Sequence, residues 1–363
     1  MSDPVQTDEP QSKTAMPSLP SQTFRAVASP TTAKARTSVT RRLFLTLCVL
    51  PALLHPIASL LSPYSWLADL MSHFQEPALV VTLAAAFFSL AAKGRRTAIG
   101  LIVMAMFQVA PLIRYGGSNP ALPDPGSKQR VRILMTNVLF DNWMHADLIH
   151  LIHTEKPDVI GFVEYTPMWD IGLKEIAKEY PYQVNWPKGP SGLALWFKTK
   201  PKTIDSVQWL VADGNPVIHA VFEFAGKDRH LWLVHPRSPL KLRRWVAGNP
   251  EIDAIADTVR RFGGSRIVVG DMNSTDGSRH FRDFIEVSGL RDSRLGFGRQ
   301  GSWPTDMPYR IAIDHAFVSE DLAVVDRKLG HMVGSDHFPL IIDLAPALPT
   351  NSATHADQKS TRP

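Results

Sequence analysis

Three apolar stretches in the first third of the chain, residues 43–61 (LFLTLCVLPALLHPIASLL), 77–92 (PALVVTLAAAFFSLAA) and 98–113 (AIGLIVMAMFQVAPLI), contain no Asp, Glu, Lys or Arg. With flanking residues each approaches the roughly 20 positions that a helix needs to cross the hydrocarbon core of a bilayer. A soluble domain can bury one such helix. Three in quick succession, with little amphipathic alternation, predict three transmembrane helices over residues 41–115.

The charges between these stretches set an expected orientation. Arg41 and Arg42 precede the first, Lys93, Arg95 and Arg96 separate the second from the third, and residues 62–76 carry only Asp69 and Glu76. Positive residues favour the cytoplasmic side, so the N-terminus and the loop around residue 95 are expected inside. An odd number of spans then places the rest of the chain beyond the membrane, in a bacterial inner membrane the periplasm. Arg114, at the far end of the third stretch, can reach the interface by extending its side chain. The TRRLFL sequence at 40–45 also resembles a twin-arginine export signal, a reading that exports the remainder equally. Residues 1–40, rich in Ser, Thr, Pro and Ala, are expected to form a disordered tail.

The net charge of +5 divides unevenly, as +3 over residues 1–42, +3 over 43–130 and −1 over 131–363. The basicity therefore belongs to the membrane region, and the remainder lacks the positive surplus of a dedicated nucleic-acid binder. The single cysteine, Cys48, excludes an internal disulfide and a Cys-based zinc site, so any metal must be held by oxygen and imidazole.

Residues 116–130 include the proline-rich PALPDPG and read as a stiff linker. A domain over 131–344 follows, and 345–363 is polar and expected to be disordered. Within the domain, β-like runs recur at 131–139, 158–165, 193–198, 217–224, 230–235, 266–270, 312–318 and 339–344, with helical stretches at 147–153, 169–178 and 251–262. Some strands follow one another directly and others are separated by helices, which predicts a two-sheet α/β sandwich rather than a doubly wound parallel sheet.

The polar residues with chemical capacity sit where these apolar runs end: Asn137 in TNV, Glu164 in FVEY, His235 in LVHP, Asp271 and Asn273 in GDMN, Asp314 in IDH, and Asp336 with His337 in GSDHFP. Alone, each has an ordinary structural explanation: a turn cap for Asn137 or Asp271, a core histidine for His235, a solvated carboxylate for Glu164. Their conjunction at the ends of successive strands is the arrangement of an active site on a rigid scaffold.

In this order and at these separations the motifs resemble the endonuclease/exonuclease/phosphatase (DNase I-like) superfamily, over essentially all of 131–344. The three preceding spans look like a bacterial membrane-anchored branch of it. Two departures stand out: Val163 occupies the position where a glutamine commonly precedes the metal-binding glutamate, and His315 follows Asp314 where a tyrosine is often found.

The resemblance implies a DNase I-like sandwich and hydrolysis of a phosphoester with Mg²⁺ or Mn²⁺, a hard cation suited to oxygen ligands. Glu164 would be the principal metal ligand, with Asn137 and Asp336 assisting. Asp271 would orient or deprotonate water, Asn273 and His235 would hold phosphoryl oxygens, and His337, fixed by Asp314, would contact phosphate or move a proton. Whether Asp271 or His337 is the base, and whether one metal or two take part, stays open at this point. Trp303 with Pro304, and the RSPLKLRRW segment at 237–245, are expected either to border the substrate pocket or to be a solvated basic helix start. The expected substrate is a lipid head group, a phosphorylated glycan or a small phosphodiester outside the cytoplasm. The alternatives are an extracytoplasmic nuclease on DNA or RNA and, from a different class, a catalytically silent tethered binding module.

Overall fold

The structure, a computed structural model, describes residues 30–117 and 121–348, with side chains from residue 39 onward. Of the tails expected to be disordered, 1–40 and 345–363, residues 1–29 and 349–363 lie outside the described residues, whereas 30–40 are helical and 345–346 end a strand that is paired within a sheet.

Four helices come first: α1 (Pro30–Leu61), α2 (Trp66–Ser72), α3 (Gln75–Ala91) and α4 (Arg95–Gly116). The first helix begins at Pro30, well before the expected boundary at 41. Two segments, Val39–Leu61 and Arg95–Gly116, are long and apolar enough to cross a membrane. The second expected stretch, 77–92, falls on α3, which at 17 residues does not qualify alone; it meets α2 at a 77° bend, and only the bent pair together passes the same criterion. The described residues therefore hold two candidate spans, or three if the pair counts as one. Ala52, Ala85, Ala86 and Leu101 pack α1, α3 and α4 together. Small residues permit that close approach where lipid offers no hydrophobic driving force.

The remaining elements, in chain order, are β1 (Val131–Asn137), α5 (His145–Glu155), β2 (Val159–Val163), α6 (Pro167–Gly172), α7 (Lys174–Ala177), β3 (Tyr182–Trp186), β4 (Leu193–Phe197), β5 (Thr203–Ile204), β6 (Ile218–Phe224), β7 (Lys227–Val234), α8 (Leu242–Phe262), β8 (Ser265–Asp271), α9 (Arg279–Ser288), β9 (Arg291–Asp292), β10 (Asp314–Val318), β11 (Leu322–Leu329) and β12 (Leu340–Pro346). They form two six-stranded mixed sheets, ordered β11-β12-β1-β2-β4-β3 and β5-β6-β7-β8-β10-β9. The expected two-sheet α/β sandwich is what the chain forms.

Alternation along the central strands builds three layers of core. Ile133, Met135, Val159, Val163, Leu231, Leu233, Ile267, Val269, Ala316 and Val318 point between the sheets. Their neighbours Leu134, Ile160 and Phe162 pack outward against α5 and α6, and Trp232, Val268 and Phe317 pack against α8 and α9. Both faces of these strands are covered, which is why they read as continuous apolar runs. The expected helix at 169–178 is broken into α6 and α7, whereas α8 starts at Leu242, before the expected 251, and carries Pro250 inside it.

The linker is pinned rather than free: Asp124 N–H donates to the Pro346 carbonyl and Leu348 N–H to the Leu122 carbonyl, each at 2.9 Å. The bend between α1 and α3 docks on the sandwich. Asp69 accepts from Ser278 Oγ at 2.6 Å and from Trp245 Nε1 at 3.0 Å, and His73 Nδ1 lies 3.0 Å from Thr275 Oγ1. Glu76 accepts from the Tyr309 hydroxyl at 2.9 Å and pairs with Arg299. At the end of α4, the Tyr115 hydroxyl accepts from Arg294 at 2.9 Å. The approach is so close that a Cβ on Gly277 would lie 1.9 Å from the Ser72 carbonyl oxygen, so only glycine fits.

Candidate active site

Strand register explains why polar side chains converge. Asn137 continues the inward set of Ile133 and Met135, His235 that of Leu231 and Leu233, and Asp271 that of Ile267 and Val269, while Asp314 precedes Ala316 and Val318. A period of two aims all four between the sheets at one end of the sandwich. The pairings bring them together: β1 and β2 run parallel with Asn137 beside Val163, β7 and β8 run parallel, and Asp314 sits directly opposite Asp271.

Glu164 leaves β2 with φ of 59°, and Leu139 and Asn273 adopt φ of 59° and 49°. Left-handed backbone at three non-glycine residues around one cleft is strain of the kind that active sites hold in place.

The structure brings all eight expected residues into one network. Asn137 Nδ2 donates to Glu164 Oε1 and to Asp271 Oδ2, both at 3.1 Å, while its Oδ1 accepts from Leu139 N–H at 3.0 Å. Asn137 therefore bridges the two carboxylates with its amide nitrogen, and its Oδ1 retains a second lone pair. Glu164 Oε2 accepts from Phe140 N–H at 3.3 Å. His337 Nδ1 donates to Asp314 Oδ2 at 2.8 Å, and its Nε2 lies 3.8 Å from Asp271 Oδ2 and 3.9 Å from Asp336 Oδ1. The GSDH turn is fixed by Ser335, which donates to the Asn137 carbonyl at 2.7 Å and accepts from His337 N–H at 3.1 Å. Asp336 Oδ2 accepts from Trp303 Nε1 at 2.9 Å, a second contact that sequence reasoning left unassigned.

A pocket of about 220 Å³ opens on Glu164, Asp271, Asn273, Asp336 and His337. At that size it encloses less than the roughly 300 to 1,000 Å³ of sites for a drug-sized ligand. Asn137, His235 and Asp314 stand behind it. His235, expected to meet a phosphoryl oxygen, lies 3.6 Å from Asp271 and supports that residue from the rear. Asn273 lines the pocket with its amide nitrogen engaged by the Pro236 carbonyl at 3.1 Å and its N–H donating to Asp271 Oδ1 at 2.8 Å. Trp303 and the 238–244 segment do border the pocket. Val163 and His315 do not: Val163 is core, and His315, one residue out of register with Asp314, turns outward against Phe281 with Nε2 on the Ser274 carbonyl at 2.9 Å. A larger cavity of about 650 Å³ lies among α1, α4 and α9. Its acids, Asp276 and Asp292, are tied to Arg294.

Burial and charge divide the titrating groups. Burial pushes the Asp271 carboxyl up to about 6, against the pull of the His337 charge and with the push of Asp314. His337 goes the other way: burial disfavours its charge, but Asp314 and Asp271 outweigh that and hold it up at about 10. The Asp314 carboxyl is kept low, burial being overcome by the His337 imidazolium. Burial lowers His235 and raises Glu164, with Asp336 adding to the rise. Asp271, Asp314 and His337 each bring one ligand-capable atom within 4.8 Å of the others, a grouping that could hold a metal ion. The oxygens suited to a hard cation are those of Glu164 and Asp336, whose Oδ1 is buried without a partner. Carboxylates outnumber the one imidazolium, a balance that a divalent ion redresses.

Comparison with known proteins agrees with this architecture. A family model described as "Endonuclease/Exonuclease/phosphatase family" matches residues 136–337. A crystal structure of humanized D. rerio TDP2 with 14 mutations aligns with TM-score 0.51 at 16% identity, covering 59% of this chain and 98% of that one. The D. rerio TDP2 complexed with single strand DNA product aligns with TM-score 0.51 at 17% identity, covering 59% and 98%. These likenesses are of fold. No curated protein matches the chain.

Proposed function

Because the chain belongs to the endonuclease/exonuclease/phosphatase family, we propose that it is a membrane-anchored, divalent-metal-dependent phosphoester hydrolase whose catalytic domain works outside the cytoplasm. The observation that carries this reading is the pocket itself, where Glu164, Asp271, Asp336 and His337 meet at the end of a rigid sandwich. Glu164 and Asp336 would hold Mg²⁺ or Mn²⁺, with Asn137 fixing the Glu164 carboxylate. The ion, when bound, neutralises charge on the phosphoryl oxygens.

The residues of the chain supply the rest. Asp271, with a carboxyl raised toward neutrality and aligned by Asn137 and the Asn273 N–H, is placed to orient and deprotonate water. His337, kept protonated by Asp314, offers Nε2–H to a phosphoryl or leaving oxygen, and this division favours Asp271 as the base. Localisation rests on the distribution of Arg41, Arg42, Lys93, Arg95 and Arg96.

The test is turnover by the purified full chain, with Mg²⁺ or Mn²⁺, on a panel of phospholipids, phosphorylated sugars, nucleotides and DNA. Metal-dependent cleavage of at least one class, abolished by Glu164→Ala and by His337→Ala, is expected. No cleavage of any class would favour a tethered binding module, and preference for DNA a nuclease.

A further inference from the structure

Part of the active-site wall is built from the anchor. Leu70, His73 and Phe74, from α2 and the bend after it, line the same pocket as Glu164 and His337, and Leu240, Trp303, Ile311 and Ile313 extend the apolar lining. The pocket thus has a charged floor and an apolar border. The segment that supplies the border follows directly from α1, one of the two helices long and apolar enough to cross a membrane.

The start of α8 is fastened beside α2: Trp66 Nε1 donates to the Pro239 carbonyl at 2.6 Å and Trp245 Nε1 to Asp69 at 3.0 Å. Around this junction Leu67, Leu240, Leu242 and Val246 are each more than half exposed, interleaved with the exposed cations Lys241, Arg243 and Arg244. Exposed leucines alternating with cations are costly in water. They suit the head-group layer of a bilayer, where the apolar side chains enter the acyl boundary and the cations meet anionic phosphates. Arg244 also lines the pocket, so the cation at its border faces the substrate's path.

We propose that the substrate is an anionic glycerophospholipid of the membrane that holds the anchor, entering head group first past Leu70, Phe74 and Leu240 while its acyl chains stay in the bilayer. This rests on the phosphoester-hydrolase reading above. Water adds to phosphorus, one P–O ester bond breaks, and the proton from water ends on the departing alkoxide, giving an alcohol and a phosphomonoester. Leu70, Phe74 and Leu240 are specificity residues that act on access rather than on the chemical step.

The experiment compares phosphatidylglycerol in mixed micelles with water-soluble bis(p-nitrophenyl) phosphate, using the purified full chain with Mn²⁺. For Phe74→Asn and Leu240→Asn, the ratio of kcat/KM on phosphatidylglycerol to kcat/KM on the soluble ester should fall at least tenfold, with the change in KM. Leu240 is 55% exposed, so its variant folds even if Phe74→Asn does not. Wild-type cleavage of the soluble ester without phosphatidylglycerol, or a proportional loss on both substrates in Leu240→Asn, overturns the lipid assignment and leaves the hydrolase reading standing. Cleavage of neither overturns both.

Discussion

His337 is held by Asp314 through a 2.8 Å hydrogen bond at Nδ1, which leaves Nε2 aimed toward Asp271 and the pocket. Both partners are almost completely buried, so the pair is an orienting device insulated from solvent. Asp314→Asn removes the charge that keeps the imidazolium protonated. Activity should fall by about 10²- to 10⁴-fold, the range for losing a positioned acid or base. The alkaline limb of the kcat/KM profile should move to lower pH, because a raised histidine pKa relaxes downward once its carboxylate is gone. An unmoved limb would show that Asp314 does not set the His337 proton.

Metal binding is readable without turnover. Saturating Mn²⁺ at about 100 times its Kd stabilises a folded protein by roughly 2.7 kcal/mol, so the melting temperature should rise on addition and return with chelator. Glu164→Gln should abolish the rise. A variant that still responds fully would place the ion elsewhere.

Asp69 joins α2 to the sandwich through Ser278 and Trp245. Asp69→Ala strands both donors, at a cost of about 1 to 3 kcal/mol each where they remain buried. Limited proteolysis between α1 and α3 should accelerate, and Gly277→Ala, which brings a methyl into the Ser72 carbonyl, should do the same. Unchanged cleavage in both would mean that the bend is not held by these contacts.

At the β9 edge of the second sheet, Arg294 binds Asp292 at 2.6 Å in a buried pair. Burial alone would raise the Asp292 carboxyl, but Arg294 overcomes it and brings it down to about 2. The unfolded value is about 3.9. The pair therefore stabilises the fold above that value, and the contribution is lost as pH falls toward 2. Asp292→Asn removes the nearer of the two carboxylates on Arg294 and leaves Asp276 at 3.5 Å, so it should cost less than the roughly 3 to 5 kcal/mol of a buried charge left wholly unpaired, and should flatten the acid unfolding curve below pH 4. A variant with wild-type acid sensitivity would assign that sensitivity to other carboxylates.

Topology has a specific consequence, since residues 62–76 bond to the sandwich and must share its side of any membrane. Reporters fused after residues 70 and 345 should both read outside, and those after 40 and 95 inside. An inside signal at 345 would contradict the export of the catalytic domain.

The strands legible from sequence and those that were not divide by position. Eight β-like runs fall on β1, β2, β4, β6, β7, β8, β10 and β12, all interior to the two sheets. The four unread strands, β3, β5, β9 and β11, are the four edges. Most interior strands are covered on both faces and so are largely apolar, and β7 is apolar over Leu231–Val234, the part read from sequence. Of the edge strands, β5 and β9 have two residues each, β11 carries Asp326, Arg327 and Lys328, and β3 carries Gln183 and Asn185, all of which break the apolar pattern. The site was legible for the same reason as the interior strands: a polar residue ending an apolar run is conspicuous, and parity assigned Asn137, His235, Asp271 and Asp314 to one face.

By itself the sequence determined that an apolar N-terminal third precedes a sandwich with a polar cluster at its strand ends, since composition and period are local properties. Only tertiary structure decided which of those residues face the pocket, that Asn137 presents nitrogen, and that His235 stands behind Asp271. It also decided that Asp69 and Glu76, read as mere loop charges, lock α2 and α3 to the domain and bring Leu70 and Phe74 to the pocket. Partners some 200 residues apart share no local pattern, because the geometry that joins them exists only once both elements have packed.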